Sequence, residues 1–482
     1  MNEILFHYHK VNPTSWAYLS SLLMIGLYFK FNRFLSVRNL DLVLLILLAP
    51  GLLLVHYGSE GMTKAQVEVA ALQESLAAST DASQPDPLTE PEREPTAAEM
   101  ELEKSRSVKR LGFIWLLAVT VIIVIRLLVD PTMVRRPLLE PNLSTGGLAF
   151  LGCSLFVFVM ANVLTGTPTE DDLQGPRSAE QLMQRTATDV DKLRQHGPGY
   201  AVMSLFPSIA TMPLMDEQDA AIEEVRYAAV AKMMAIVSHF FVVVGIVIIG
   251  YRHFENMRTG IGAATLYLML PYTATMTGRV DHAIPAALLV WAIVTYRRPL
   301  TSGIFLGLAT GVVYYPIFLL PLWISFYWQR GLGRFITGVL STLALMVLSL
   351  VLVSPNVSSF WDHVQHMFGL WGPQMQDLEG IWGLGWDPIF RLPILTAFVA
   401  LCCTFAMWPA QKNLGTLLSC SAAVLAASQL WHAHGGGLFM AWYLPLVLLT
   451  IFRPNLEDRI ALSVLGEGWF FGQRNPLGKQ AA

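Results

Sequence analysis

Charge is scarce in this 482-residue sequence: Asp, Glu, Lys and Arg make up only 14% of it. A soluble domain carries roughly 25%, so an ordinary water-soluble globule is excluded for want of polar surface. Neither sign predominates. The 32 Lys+Arg against 35 Asp+Glu leave a net charge of −3 with no basic block, which argues against nucleic acid as a partner. Cysteine is scarce too. Cys153, Cys402, Cys403 and Cys420 all lie in apolar stretches, so neither a disulfide framework nor zinc-type spacing can be built from them, and they read as small buried hydrophobes. There is no internal repeat.

Apolar residues are what the chain has in abundance, at 54% hydrophobic and 11% aromatic, with a mean hydropathy of +0.49. Long disorder is thereby excluded for most of the length. A bilayer core needs roughly 20 apolar residues per helix. Runs of that kind read at 16–31, 40–57, 111–129, 146–164, 229–250, 261–277, 283–296, 301–328, 335–354, 393–409, 414–431 and 438–452. The pattern predicts an all-α polytopic membrane protein of about 11–13 transmembrane helices. The first run ends in Lys30, Phe31, Asn32 and Arg33 with no small-residue cleavage site, so it reads as a span and not as a cleaved signal.

The run 301–328 is unusual because Pro316 and Pro321 interrupt it, each removing a backbone donor and crowding the preceding turn. It is either one kinked helix or a hairpin of two half-helices. The pairs Arg252 and Arg258, Arg297 and Arg298, and Arg330 and Arg334 flank successive short loops. A broken-helix hairpin turning near Tyr315–Pro316 keeps all three pairs on the cytoplasmic face, as the positive-inside rule prefers. Lys104, Arg106, Lys109 and Arg110 then fall on the outer side against that rule, which long loops tolerate.

The chain accordingly divides into N-terminal spans 1–57, an extramembrane loop 58–110, a transmembrane core 111–354 with an outer loop 165–228, a Trp-rich outer loop 355–392, C-terminal spans 393–452 and a cytoplasmic tail 453–482. Within 58–110, Ala65, Val69, Leu72 and Leu76 mark the stripe of an interfacial amphipathic helix, followed by Pro85, Pro87, Pro91 and Pro95 in a disordered linker. In 165–228, Ser178 and Gln181 form a capping-box pattern ahead of Leu182, Thr186, Val190 and Leu193. His196-Gly197-Pro198-Gly199-Tyr200 is a turn signal, and His432-Ala433-His434 with Gly435–Gly437 reads as a flexible turn.

Ionisable residues at the membrane rim are functional candidates because burying them is costly. Arg279-Val280-Asp281-His282 puts acid, base and imidazole in one tight turn between two spans. The plainer alternative is a helix start, with Asp281 capping and Arg279 reaching to the interface. Glu170-Asp171-Asp172 is a second acidic group; adjacent carboxylates can hold a divalent cation or supply a base of raised pKa, whereas Thr169-x-x-Asp172 is also a capping pattern. Loop 355–392 brings Trp361, Trp371, Trp382 and Trp386 together with Asp362, His363, His366, Asp377, Glu379, Asp387 and Arg391. Indole faces stack on sugar rings and equally serve as interface anchors. Tyr200, Trp382, Trp386, Arg391, Arg279 and His282 are the candidates for holding substrate, and no metal ligand set is assigned.

Over residues 261–330 the chain resembles the GT-C superfamily of integral-membrane glycosyltransferases, most closely the bacterial branch that uses polyprenyl-phosphate sugars. Gly278–Asp281, Arg297-Arg298, Gly303/Gly307/Gly311 and Pro316 stand where members show a Gly-x-x-Asp turn, basic residues and a Gly-rich half-helix ending near Pro. A Lys common a few residues before that Pro is replaced by Val312-Val313-Tyr314-Tyr315. The resemblance implies a multi-pass protein of the bacterial cytoplasmic (inner) membrane that moves a sugar from a polyprenyl-phosphate donor to a lipid or glycan acceptor outside the cytoplasm. It implies a catalytic acid among Asp171, Asp172 and Asp281, with Arg279 or Arg391 offsetting charge on the departing phosphate. The rival readings are a lipid or small-molecule flippase, which requires polar residues through both leaflets, and a non-catalytic protein of the same fold.

Overall fold

The computed structural model describes residues 11–80, 96–133, 139–184, 196–211, 220–367, 375–376 and 378–454. Among these there is no strand, and seventeen α-helices follow one another: α1 Pro13–Tyr28, α2 Val37–Thr80, α3 Ala97–Val129, α4 Thr145–Thr165, α5 Glu170–Gln184, α6 Pro198–Thr211, α7 Ala220–Arg252, α8 Met257–Met269, α9 Pro271–Thr275, α10 Val280–Val294, α11 Pro299–Val312, α12 Leu320–Tyr327, α13 Leu332–Val353, α14 Val357–Met367, α15 Arg391–Met407, α16 Leu414–Ser428 and α17 Leu444–Phe452. Six helical stretches, Val37–Leu72, Ala97–Thr132, Thr145–Thr165, Glu223–Arg252, Leu332–Leu352 and Pro388–Met407, are long and apolar enough to cross a bilayer. Five shorter apolar helices pack among them. The chain is therefore an all-α polytopic membrane protein. The segments carrying Pro85–Pro95, Arg135, Arg136, Thr186, Val190, Leu193, Trp371, Asp377 and the tail from 455 lie outside the described residues, as does the side chain of His366.

Local signals place the helix starts. Thr96 and Glu99 close a reciprocal capping box at α3, Ser144 accepts from the Gly147 N–H at α4, and Asn413 and Thr416 do the same for α16. Such caps satisfy the N–H groups that a helix start leaves open. Every residue of α16 and of α17 is buried, so these two form the centre of the bundle, while Phe150, Val157, Leu345 and Leu348 point outward from α4 and α13. Cys153 and Cys403 are likewise exposed on helix faces, and only Cys402 and Cys420 are buried.

Three regions differ from the sequence reading. The stripe Ala65–Val69–Leu72 belongs to α2, which runs unbroken from the membrane stretch to Thr80 and packs along α3. A Cβ on Gly58 would come within 2.7 Å of the Lys109 backbone, and one on Gly112 within 2.8 Å of the Val55 backbone. Close packing of the two backbones carries the helix past the membrane without a break. Ser178 is interior to α5, not its cap: the helix begins at Glu170. The apolar run 261–277 is split at Leu270–Pro271 into α8 and α9.

The Pro-interrupted run is a hairpin. Helix α11 rises to Val312, a 3-10 turn holds Tyr315–Leu319, and α12 returns to Tyr327. The Tyr327 hydroxyl donates to the Tyr296 carbonyl at 2.7 Å, so the hairpin begins and ends at one end of the bundle. Its glycines serve contact with α13: a Cβ on Gly303 would lie 2.3 Å from the Phe335 carbonyl oxygen, and one on Gly338 2.3 Å from that of Leu300. Cysteines introduced at the exposed positions Arg298 and Trp328 are expected to react with an impermeant maleimide from one side of the membrane, and those at Thr167 and Gly278 from the other. Labelling of Arg298→Cys and Trp328→Cys from opposite sides would show a single crossing and refute the hairpin.

Candidate functional site

Helix α4 delivers the chain to the end of the bundle opposite the hairpin's termini, where Thr169 starts α5. Asp172 then serves two helices at once. One oxygen accepts from the Thr169 backbone N–H at 3.0 Å and its hydroxyl at 2.6 Å. The other accepts from the N–H of Val280, first residue of α10, at 3.0 Å. The capping pattern is thus real, and it also fastens α5 to a helix more than a hundred residues later.

Arg279 precedes α10 and gathers the acids. Its Nε and Nη2 bind the two oxygens of Asp281 at 3.1 and 3.0 Å, Nη2 also reaches Asp171 Oδ2 at 3.0 Å, and Nη1 donates to the Thr169 hydroxyl at 3.2 Å. The Asp281 side chain is fully buried, and the indole of Trp442 donates to its backbone carbonyl at 3.2 Å. The Nε2 atoms of His196 and His282 stand 3.7 and 3.8 Å from its carboxylate. His282 Nδ1 pairs with the Tyr272 hydroxyl. Tyr200 stacks on His196 with ring centres 4.6 Å apart and donates to the Asp171 carbonyl at 3.3 Å.

The three carboxylates are not equivalent. Asp171 is one-third exposed, at 33%, against 2% for Asp172 and 0% for Asp281. Burial, then the negative Asp281, pushes the Asp172 carboxyl upward, with Arg279 and the hydrogen bonds opposing. Burial by itself would lower Arg279, but Asp281, Asp172 and Asp171 outweigh it and raise it. Asp171 is therefore the one carboxylate of the three that solvent reaches, while the buried pair holds the arginine. Asp171 and Asp172 both face Arg279, at 3.0 and 3.8 Å, and no three His, Cys, Asp or Glu among the described residues group as a metal site.

Two segments roof this cluster. The Glu379 N–H donates to the Ala433 carbonyl at 2.8 Å, and a Cβ on Gly380 would meet Gly435 at 2.9 Å. Burial and nearby Asp171 raise the Glu379 carboxyl, with Lys109 opposing. Lys109, from the basic group that offended the positive-inside rule, is thus on the rim of the site. The 432–437 turn is not loose: His432 is buried, stacked on Tyr315 at 4.4 Å and on Phe439 at 4.3 Å. Gly435 and Gly437, at φ of 67° and 100°, occupy a backbone region that favours glycine. The 196–200 turn is also more than punctuation. A Cβ on Gly197 would lie 2.2 Å from the Gly311 carbonyl oxygen, which seats His196 on the tip of the hairpin.

The sequence-predicted residues Asp171, Asp172, Tyr200, Arg279, Asp281 and His282 thus meet in one cluster. Arg391 is buried against the roof segment, where its Nε and Nη2 bind the Trp431 carbonyl at 3.1 and 2.9 Å. Trp382 is buried with its ring against the exposed Trp386, centres 5.9 Å apart. His363 bonds to Ser354 at 2.9 Å and takes no part. Sequence reasoning missed His196, Tyr272, His432 and Trp442, because no spacing pattern links them to the acids. For Lys109 a signal existed in its wrong-sided charge.

With this geometry in place, the comparisons can be set beside it. Residues 224–432 match the family model of glycosyltransferase family 87, a GT-C-type membrane glycosyltransferase family. The similarity read over 261–330 falls within that match. No curated protein and no solved structure matches the chain. Arg279, Asp281 and His282 lie inside the matched range, and Asp171, Asp172, His196 and Tyr200 precede it.

Arg279→Gln is expected to destabilise the fold by about 3–5 kcal/mol, the effect of stranding one member of a buried ion pair. The check is the melting temperature of the detergent-solubilised protein. It should fall far more than for Glu170→Gln, whose partner Arg177 lies near the surface.

Proposed function

We propose that the protein transfers a sugar from a polyprenyl-phosphate donor to an acceptor outside the cytoplasm, as a multi-pass protein of a bacterial cytoplasmic membrane. The single observation that carries the reading is the Asp171 carboxylate, open to solvent on a rigid ionic platform at one rim of the bundle. Its Oδ2 is held by Arg279, and its Oδ1 has no hydrogen-bond partner among the described residues. In the reaction Asp171 takes the proton of an acceptor hydroxyl as that oxygen bonds to the anomeric carbon. The bond from that carbon to the phosphate oxygen breaks, and its electron pair leaves with the lipid phosphate. With Asp171 as the general base, the step is a single displacement, which inverts the anomeric configuration.

The supporting groups follow from charge and shape. Arg279 is already shared among three carboxylates, so the departing phosphate draws first on Lys109 and on the imidazoles of His196 and His434 at the rim. The indole N–H groups of Trp382 and Trp431 are buried without an acceptor, and they are donors for sugar hydroxyls. Asp172, Asp281, His282 and Tyr200 hold the platform rather than react.

Membranes or purified protein supplied with radiolabelled polyprenyl-phosphate sugars and a membrane lipid extract as acceptor test this. Asp171→Asn should reduce transfer by roughly a hundredfold or more, in line with loss of a general base, while leaving the melting temperature near that of the parent. Unimpaired transfer by this variant would overturn the assignment of the base. No transfer by the parent protein with any such donor would overturn the reaction.

A further inference from the structure

At the other end of the bundle, roughly 30 Å away along the 21 residues of α4 at about 1.5 Å each, lies a second ionic group. Arg126 binds Asp41 through Nη2 at 2.9 Å and Asp130 through Nη1 at 3.0 Å, and Arg453 reaches Asp130 at 2.6 Å. Side-chain exposure in this group is 10% or less. Both acids are ion-paired within this group, and Asp41 also attracts Arg38 without a hydrogen bond to its guanidinium. Arg38, one turn before Asp41 on α2, is 6% exposed, and none of its three guanidinium nitrogens has a hydrogen-bond partner.

A buried guanidinium without an acceptor is a costly arrangement unless an anion completes it. Arg38 lines a cavity of about 600 Å³ together with Arg33, Ser36, Asp41 and Arg126 on its polar side. The remaining lining is apolar, from Phe34, Leu35, Val37, Met133 and Ile451. Phe34 and Leu35 are exposed at 69% and 95%, so the mouth opens beside an apolar strip of the kind that meets lipid. Among the described residues, three lining arginines face one aspartate. The N-terminus of α2 adds its partial positive charge at the same place.

We propose that this cavity is a phosphate-binding site, filled by the phosphate of an anionic lipid headgroup whose chains lie along the Phe34–Leu35 strip. Arg38 provides the fork that grips two phosphate oxygens. The site is separate from the Asp171–Arg279 cluster and does not depend on its chemistry.

The test is native mass spectrometry of the full-length protein in neutral detergent, titrated in parallel with phosphatidic acid and with inorganic phosphate. The parent should retain one phosphatidic acid, and Arg38→Gln should bind it at least about tenfold more weakly, the scale of one lost charge-assisted bond pair. Arg38→Lys should recover part of the loss, and Asp171→Asn should bind as the parent does. Saturable binding of inorganic phosphate that Arg38→Gln abolishes, with no retained lipid, would support the site with a soluble phosphate as its occupant. Equal behaviour of parent and Arg38→Gln with both probes would overturn it. If Arg38→Gln fails to fold, Arg33→Gln at the exposed mouth decides: weaker retention supports the site, and parent-like retention overturns it.

Discussion

A single guanidinium surrounded by three carboxylates is the constraint on which the rest of this molecule's outer end depends. Arg279 cannot stay buried unpaired, and neither can Asp281, so each makes the other tolerable. The pair does more than neutralise charge. Asp172 ties the start of α5 to the start of α10, and Tyr200 ties α6 to the Asp171 backbone. Helices that arrive at the rim from distant parts of the chain are held in register by bonds of fixed geometry, which apolar packing does not supply.

The hairpin of α11 and α12 serves the same end by a different means. Its glycines remove side chains where α13 and the 196–199 turn must approach, so that Tyr315 reaches the His432 ring and His196 sits above Gly311. Val312-Val313-Tyr314-Tyr315 makes this tip an aromatic packing surface. Positive charge reaches the rim from α3 instead, through Lys109.

Ionic groups are thus present at both ends of the bundle, with the wholly buried α16 and α17 between them. Asp41, Asp130 and Arg126 lie inside or beside apolar runs, and nothing in their spacing announces that Arg453, three hundred residues on, completes the group.

The sequence by itself determined the fold class and marked the long apolar helices, and its arginine placement favoured the hairpin over a single crossing, because hydropathy, proline position and arginine placement are local quantities that a bilayer reads locally. It also marked Asp171, Asp172, Arg279 and Asp281, because charges are rare enough here for each to stand out. It could not say which carboxylate is exposed and which two are buried, nor that Arg391 is tied to a backbone carbonyl, nor that the 432–437 turn is packed against aromatic rings. Those distinctions arise from burial and from partners far away in the chain. A carboxylate's role depends on how much water it keeps and which cation it faces, and only the packing of α5, α6 and α10 against one another decides both.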